Sequence, residues 1–280
     1  MLDLIKKVPE QYEASLEFVD FKLKRFKVDN VIFCGMGASG VVSDIVKEYL
    51  YDEIKIPIIV NKNGDIPEFV GRNTLVFIIS HSGKSKESLK CYKKAKLKRA
   101  KIIGITANKK LKFKNKIQLP DDTKYGRVVL YYSLFPILIV LNKLGLIKDK
   151  RKEMMKAVRA VKGFKDQKKA ELIARKLYKR VPIVYSFFSY RAVAYYWKTQ
   201  LNELSKVFVI QNFFPEVNHN EIEAKNNIGK WEIVNLKENK RDLASMIYYM
   251  YSADWVAYFL SKMNKVDPLK TPIIDKIKKK

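Results

Sequence analysis

Cysteine and histidine are scarce in this chain, and each scarcity removes a class of chemistry. Of 280 residues only two are cysteines, Cys34 and Cys91. One falls in a predicted strand and the other in a predicted helix, so neither a disulfide framework nor a cysteine metal site is indicated. A reducing cytoplasm is the expected compartment. Only two histidines are present, His81 and His219, which leaves few groups able to titrate near neutral pH. Long apolar runs are missing as well. No stretch reaches the roughly 18 to 20 residues of a membrane span, and the longest, Val128 to Leu141, carries Ser133 and Pro136 and reads as a buried helix. The opening residues, Met1 to Lys7, lack a signal-peptide layout.

Acidic residues are few: 29 against 56 basic ones, a net charge of +27. A balance this basic is the usual electrostatic footprint of nucleic-acid binding. Yet the lysines of 93–101, 109–116 and 276–280 alternate with apolar residues on outward faces or loops, and no helix-turn-helix, zinc-finger or RNA-recognition signature accompanies them. Nucleic acid is therefore not the expected partner. Lysine enrichment of hot-adapted proteins is usually matched by glutamate, so it does not account for the whole imbalance. Such a field draws in anionic substrates, a sugar phosphate among them.

What is present is more specific. Leu75-Val76-Phe77-Ile78-Ile79 runs directly into Ser80-His81-Ser82-Gly83-Lys84-Ser85. A buried strand thus delivers three hydroxyls and a glycine to a helix start, where backbone N–H groups are unpaired and carry partial positive charge. That is a phosphate cradle; the ordinary alternative is Ser85 as an N-cap. A second site of the same type lies one βα unit earlier, where Val31-Ile32-Phe33-Cys34 runs into Gly35-Met36-Gly37-Ala38-Ser39-Gly40. The Gly-x-Gly-x-x-Gly spacing also fits a dinucleotide fingerprint. That reading wants an acid at the end of the next strand, Ile56 to Val60, but Asn61-Lys62-Asn63 follows.

The chain alternates strands near 31–34, 56–60, 75–79, 102–106 and 116–119 with helices, notably 39–50 and 85–98, and continues into a long helix from Arg127 to Leu144. This implies an α/β fold with a parallel sheet flanked by helices on both faces. A polar stretch at Lys148–Glu153 places a domain boundary between residues 148 and 149. Beyond it, strands near 182–186, 207–211 and 231–236 and helices near 189–205, 218–227 and 240–261 repeat the rhythm. There the counterpart of the cradle, Ser186-Phe187-Phe188-Ser189-Tyr190, is too bulky for close approach to phosphate, so one phosphate site per chain is expected.

Gly35-Met36-Gly37-Ala38-Ser39, Ser80-His81-Ser82-Gly83-Lys84-Ser85, Gln200-Leu201-Asn202-Glu203 and Asn218-His219-Asn220-Glu221-Ile222 occur in this order. The set resembles the sugar isomerase (SIS) fold, and in particular the bifunctional phosphoglucose/phosphomannose isomerases found largely in archaea. The resemblance runs from about residue 30 to Lys278. It implies two SIS subdomains, 1–148 and 149–280, a homodimer, no metal or cofactor, no membrane association, and reversible interconversion of glucose 6-phosphate and mannose 6-phosphate with fructose 6-phosphate through a cis-enediol.

Such a reaction needs a base that moves a proton between C1 and C2, and a carboxylate suits because either oxygen can carry it. The resemblance assigns this to Glu203; spacing alone allows a solvated helix glutamate paired with Lys198 or Lys206. It assigns ring opening to His219, reaching the partner subunit's active site, where a loop position alone allows plain exposure. Arg127 is the implied stabiliser of the enediolate, against a salt bridge to Asp121 or Asp122. Lys278 is an implied ring-oxygen or hydroxyl contact in a lysine-rich tail whose ordinary state is solvated, and Thr271 the small hydroxyl linked with accepting both C2 epimers. Gly37, Ala38, Ser39, Ser80, Ser82 and Ser85 hold the phosphate. His81 stands where the family often has tyrosine, as a wall of the cradle. The amides and the Glu221 carboxylate beside His219 can fix its tautomer and orientation, and Glu221 can also be an ordinary acid at a helix start.

The chain departs from the family pattern at Ala38, where glycine is usual, at Lys84 for asparagine, at Ser85 for threonine and at Leu204 for a polar neighbour of Glu203. Ala38 requires a negative φ or a slightly more distant phosphate. The alternative function is a non-catalytic SIS module that senses a sugar phosphate. A pentose- or hexulose-phosphate isomerase would usually be a shorter, single-SIS chain.

Overall fold

The protein, seen in a computed structural model, is described over residues 1–122, 125–128, 130–224 and 230–278. It divides into two compact units. One is Val8–Met155; the other joins Met1–Lys7, with helix α1 (Leu2–Lys6), to Lys156–Lys280. The two units divide at Met155/Lys156.

The Val8–Met155 unit runs α2 (Val8–Ser15), β1 (Asn30–Cys34), α3 (Ala38–Tyr49), β2 (Ile58–Asn61), β3 (Thr74–Ile79), α4 (Lys86–Leu97), β4 (Lys101–Thr106), β5 (Asn115–Gln118), a 3-10 turn Gly126–Val128 and α5 (Tyr131–Lys143). Its five strands are all parallel, in the order β2-β1-β3-β4-β5. Helix α3 packs on β1 and β2, α4 on β3 and β4, and α5 on α2 and α3. Strands covered on both faces read as continuous apolar runs. Accordingly Val31–Cys34 and Leu75–Ile79 are buried throughout, with the Phe33 and Phe77 rings stacked 5.0 Å apart in register. The apolar run at 128–141 is the buried face of α5, eleven consecutive buried residues from Tyr131 to Leu141. The helix begins at Tyr131 and not at Arg127, because Gly126–Val128 turns as a 3-10 segment first.

After α6 (Arg151–Lys162), in which the division falls, the second unit continues with α7 (Gln167–Leu177), β6 (Val181–Phe187), a 3-10 turn Phe188–Tyr190, α8 (Arg191–Leu204), β7 (Ile210–Phe214), a 3-10 turn Glu216–His219, α9 (Glu221–Ala224), β8 (Trp231–Leu236), α10 (Leu243–Met263) and α11 (Pro272–Lys278). Its three described strands are parallel, ordered β7-β6-β8. Helix α8 packs on β6 and β7, and α10 on both α7 and α8. Ile183 and Tyr185 face Val217 of the turn after β7. Helices α2, α6 and α7 are absent from the sequence reading. In α6 the polar Arg151-Lys152-Glu153 heads a helix whose Met154, Ala157, Val158 and Val161 are buried at helical spacing. Strands β2 and β7 begin two and three residues later than expected, at Ile58 and Ile210. Among the described residues no helix is long and apolar enough to cross a membrane.

Candidate active site

In the order β2-β1-β3-β4-β5 the chain leaves β1 toward one edge of the sheet and β3 toward the other. Their carboxyl ends bound the crevice where open parallel sheets bind ligands. Both serine- and glycine-bearing loops emerge there.

The first loop is shaped by close backbone approach. A Cβ on Gly35 would stand 2.9 Å from Ser39 Cβ, and one on Gly40 would stand 2.9 Å from the Gly35 carbonyl oxygen. The outer glycines of the fingerprint are therefore explained by α3 pressing on the end of β1. Gly37, at φ +55°, is the N-cap, and Ala38 opens α3; Ala38 is not among the described non-glycine residues with positive φ, so it meets the condition its identity imposes.

The second loop turns at Gly83. Its amide donates to the Ser80 carbonyl at 3.0 Å, its φ is +65°, and an added Cβ would meet Asn108 Cβ and Leu111 Cδ1 at 2.7 Å. Only glycine fits both demands. Behind the loop, the Ala107 amide donates to the His81 carbonyl at 3.0 Å, and the Asn108 side-chain amide donates to the Ser82 carbonyl at 3.3 Å. The β4 end thus buttresses the cradle.

Ser85 stands at the N-cap of α4, yet its side chain makes no cap hydrogen bond. Its hydroxyl lies instead 3.2 Å from that of Ser80. Ser80 is buried, Ser82 and Lys84 are exposed, and the Lys84 amide donates to Ser82 Oγ at 3.2 Å. Two hydroxyls thus converge beside a helix start whose amides Ser85 does not cap, an arrangement with the chemistry an anion would need. The half-buried Arg127 lies in the 3-10 turn that packs on α3, and the turn's Gly126 lies beside His81. Asp122, a proposed salt-bridge partner of Arg127, accepts the Tyr132 hydroxyl at 2.8 Å. Gly37, Ala38, Ser39, Ser80, Ser82, Ser85 and Arg127 are accordingly gathered at one end of one sheet.

The second unit carries the remaining candidates. Glu203 is half-buried in the last turn of α8. Gln200, one turn earlier, is buried and donates to Tyr196 Oη at 2.7 Å and to the Asp254 carboxylate. Leu204 is fully buried. Lys206 follows at φ +58°, and its ammonium donates to the Glu203 carbonyl at 2.5 Å and to the Lys270 carbonyl at 2.8 Å. That tether holds Thr271 and the start of α11 beside the Glu203 turn, a role no sequence spacing signalled. The Thr271 hydroxyl lies 3.3 Å from Asp275 Oδ1. Lys278 ends α11, and its side chain lies outside the described structure.

His219 is exposed at the end of the 3-10 turn beyond β7. Glu221 is no ordinary helix-start acid: its carboxylate accepts the Tyr185 hydroxyl at 2.8 Å and the Asn212 amide at 2.7 Å. Burial and then the Glu221 bond push the Tyr185 hydroxyl up to about 12. Among the described residues no cluster of three or more His, Cys, Asp or Glu side chains is arranged to hold a metal ion.

Comparison with known proteins agrees with this architecture. Residues 26–125 match the SIS domain family, and residues 166–242 and 223–280 match the bacterial phospho-glucose isomerase C-terminal SIS domain family. The fold is similar to the C-terminal domain of glucosamine-fructose-6-phosphate aminotransferase from Francisella tularensis, with a TM-score of 0.75, 12% identity and coverage of 96% of this chain and 98% of that one. It is also similar to tagatose-6-phosphate ketose/aldose isomerase from Escherichia coli, with a TM-score of 0.67, 13% identity and coverage of 97% and 96%. The fold class is thus the sugar isomerase, SIS, type. At the sequence level, the chain is 30% identical to the bifunctional phosphoglucose/phosphomannose isomerase of Caldicellulosiruptor bescii, over 100% of this chain and 98% of that protein. It is 28% identical to the one from Aquifex aeolicus, over 99% and 98%, and 30% identical to the one from the archaeon Thermoplasma volcanium, over 93% and 94%. The chain belongs to the bifunctional phosphoglucose/phosphomannose isomerase family, and it is an enzyme of the isomerase class.

Proposed function

We propose that the chain interconverts glucose 6-phosphate and mannose 6-phosphate with fructose 6-phosphate through a cis-enediol, without a metal. The observation that carries the phosphate end is the Ser80–Ser85 hydroxyl pair at a helix start. Ser39, Ser80, Ser82 and Ser85, with the Gly37 and Ala38 backbone, hold the phosphate, and the basic surface raises its local concentration.

With the phosphate fixed, the rest of the open-chain sugar is positioned for proton transfer. Glu203 takes the proton from C1 or C2 and returns it to the neighbouring carbon. The enediolate charge falls to Arg127, whose guanidinium keeps its proton throughout. Ring opening of the cyclic sugar needs an acid, and the partner subunit's His219 supplies it in a homodimer. Lys278 contacts a ring oxygen or hydroxyl, and Thr271 gives the enediol room to present either face at C2, which yields both epimers. The family membership and the tether of Thr271 to the Glu203 turn support this arrangement.

Coupled assays on fructose 6-phosphate in the presence of a chelator, for wild type and Glu203→Gln, test it. Both aldose products are expected from the wild type, and a loss of about 100-fold or more from the variant. No turnover by the wild type, or full turnover by the variant, contradicts the reading.

A further inference from the structure

The two cysteines, far apart in sequence, meet in the core of the Val8–Met155 unit. Cys34 ends β1, immediately before Gly35; Cys91 lies in the second turn of α4, the helix that Ser85 opens. Both are fully buried in one cluster with Ile32, Ile78 and Ala95. Both sulfurs lie against the same side-chain amide, that of Asn61. Its nitrogen is 3.8 Å from Cys34 Sγ and 3.5 Å from Cys91 Sγ, and Cys91 Sγ lies 3.1 Å from the Asn63 carbonyl oxygen.

A single buried thiol is inert because nothing stabilises its anion. Here negative charge forming on Cys91 has the Asn61 amide donor already in place. The neighbouring Cys34 outweighs burial and draws the Cys91 thiol below its ordinary range, while Cys91 in turn, then burial, pushes Cys34 up. The cover over Cys91 is the 61–65 loop, of which Asn63 and Asp65 are exposed. Local opening of this cover would expose Cys91 to a small oxidant.

We propose that Cys34 and Cys91 are an oxidation site, converted by a hydroperoxide to a disulfide within one chain. The Cys91 thiolate attacks a peroxide oxygen; the O–O bond breaks, a sulfenic acid forms, and the departing hydroxide takes up the proton that Cys91 gave up and becomes water. The Cys34 sulfur then attacks Cys91 Sγ, the S–O bond breaks, and the second hydroxide leaves as water with the Cys34 proton. Two thiols and one hydrogen peroxide give one disulfide and two waters. The bond joins the end of β1 to α4, the elements whose loops form the cradle.

The test is to treat the full native chain with hydrogen peroxide, quench in acid, denature, alkylate and map by mass. The expected result is paired loss of both thiols, a mass lower by two hydrogens, one linked peptide containing Cys34 and Cys91, and recovery of both thiols with dithiothreitol. In Cys34→Ser the reaction stops at a Cys91 sulfenic acid, trapped by a carbon nucleophile such as dimedone. Should that variant not fold, the wild-type thiol count decides alone. Both thiols surviving excess peroxide, one oxidised while the other stays free, or a disulfide between two chains overturns the proposal.

Discussion

Glu203 and His219 flank β7 along the chain: Glu203 lies in the last turn of α8, before the strand, and His219 closes the 3-10 turn that follows it. Helix α8 runs back between two parallel strands, so its last turn returns to the amino-terminal edge of the sheet. The five residues of β7 then span roughly 17 Å toward the other edge. The turn after the strand then folds back, with Val217 on Ile183 and Tyr185 and Glu221 on Tyr185 and Asn212. If, as proposed, His219 serves the partner's site, the two groups acting on one substrate come from two copies of the chain.

A His219 supplied across a dimer predicts complementation. Glu203→Gln and His219→Ala are each expected to be inactive, whereas co-refolding them in equal amounts gives mixed dimers with one intact and one doubly altered site. Random pairing restores about a quarter of the wild-type rate. Steady-state assays of the mixture check this, and activity no higher than that of the separate variants contradicts it.

Ser85 distinguishes a cap from a cradle. Because its side chain makes no cap bond, Ser85→Ala is expected to change stability by less than about 0.5 kcal/mol. Loss of one hydrogen bond to a charged phosphate, about 1.5–3 kcal/mol, raises KM about tenfold or more with kcat little changed. Michaelis kinetics together with urea unfolding measure both. A capping serine gives the reverse, a stability loss of about 1 kcal/mol with KM unaltered.

The Tyr185–Glu221 bond gives a pH dependence of defined sign. Burial, then the Glu221 carboxylate, raise the phenol to about 12 in the folded chain, against about 10 when unfolded. Across that window the unfolded chain has released a proton that the folded chain still holds. Stability contributed by this group is complete below about pH 10 and declines as the pH rises toward 12. Urea unfolding of wild type and Tyr185→Phe at about pH 8 and about pH 11 checks it: the variant is less stable at the lower pH and loses less on going to the higher. An equal alkaline decline in the two proteins contradicts the assignment.

The parts of the fold legible in the sequence are those with one dominant signal. Strands β1 and β3 are buried on both faces, so their apolar runs and the small residues behind them announced both the sheet and the cradle. Helices α6 and α7 were hidden because lysines and arginines break up their apolar pattern, leaving short apolar stripes such as Ala170, Ala174 and Leu177. The Gly35–Gly40 spacing was ambiguous because close packing of α3 on β1 and a dinucleotide site ask for the same glycines. Contacts across space left no trace: the Cys34–Cys91 pair, the Lys206 tether and the Tyr185 and Asn212 bonds to Glu221 join residues with no sequence relationship.

The central claim is proton transfer by Glu203 between neighbouring sugar carbons, and solvent isotope incorporation tests it most directly. Fructose 6-phosphate incubated with wild-type enzyme in deuterium oxide should acquire deuterium at C1, and the aldose products at C2, as read by proton NMR. Glu203→Gln should produce neither signal. Labelling by Glu203→Gln at the wild-type rate would contradict the account.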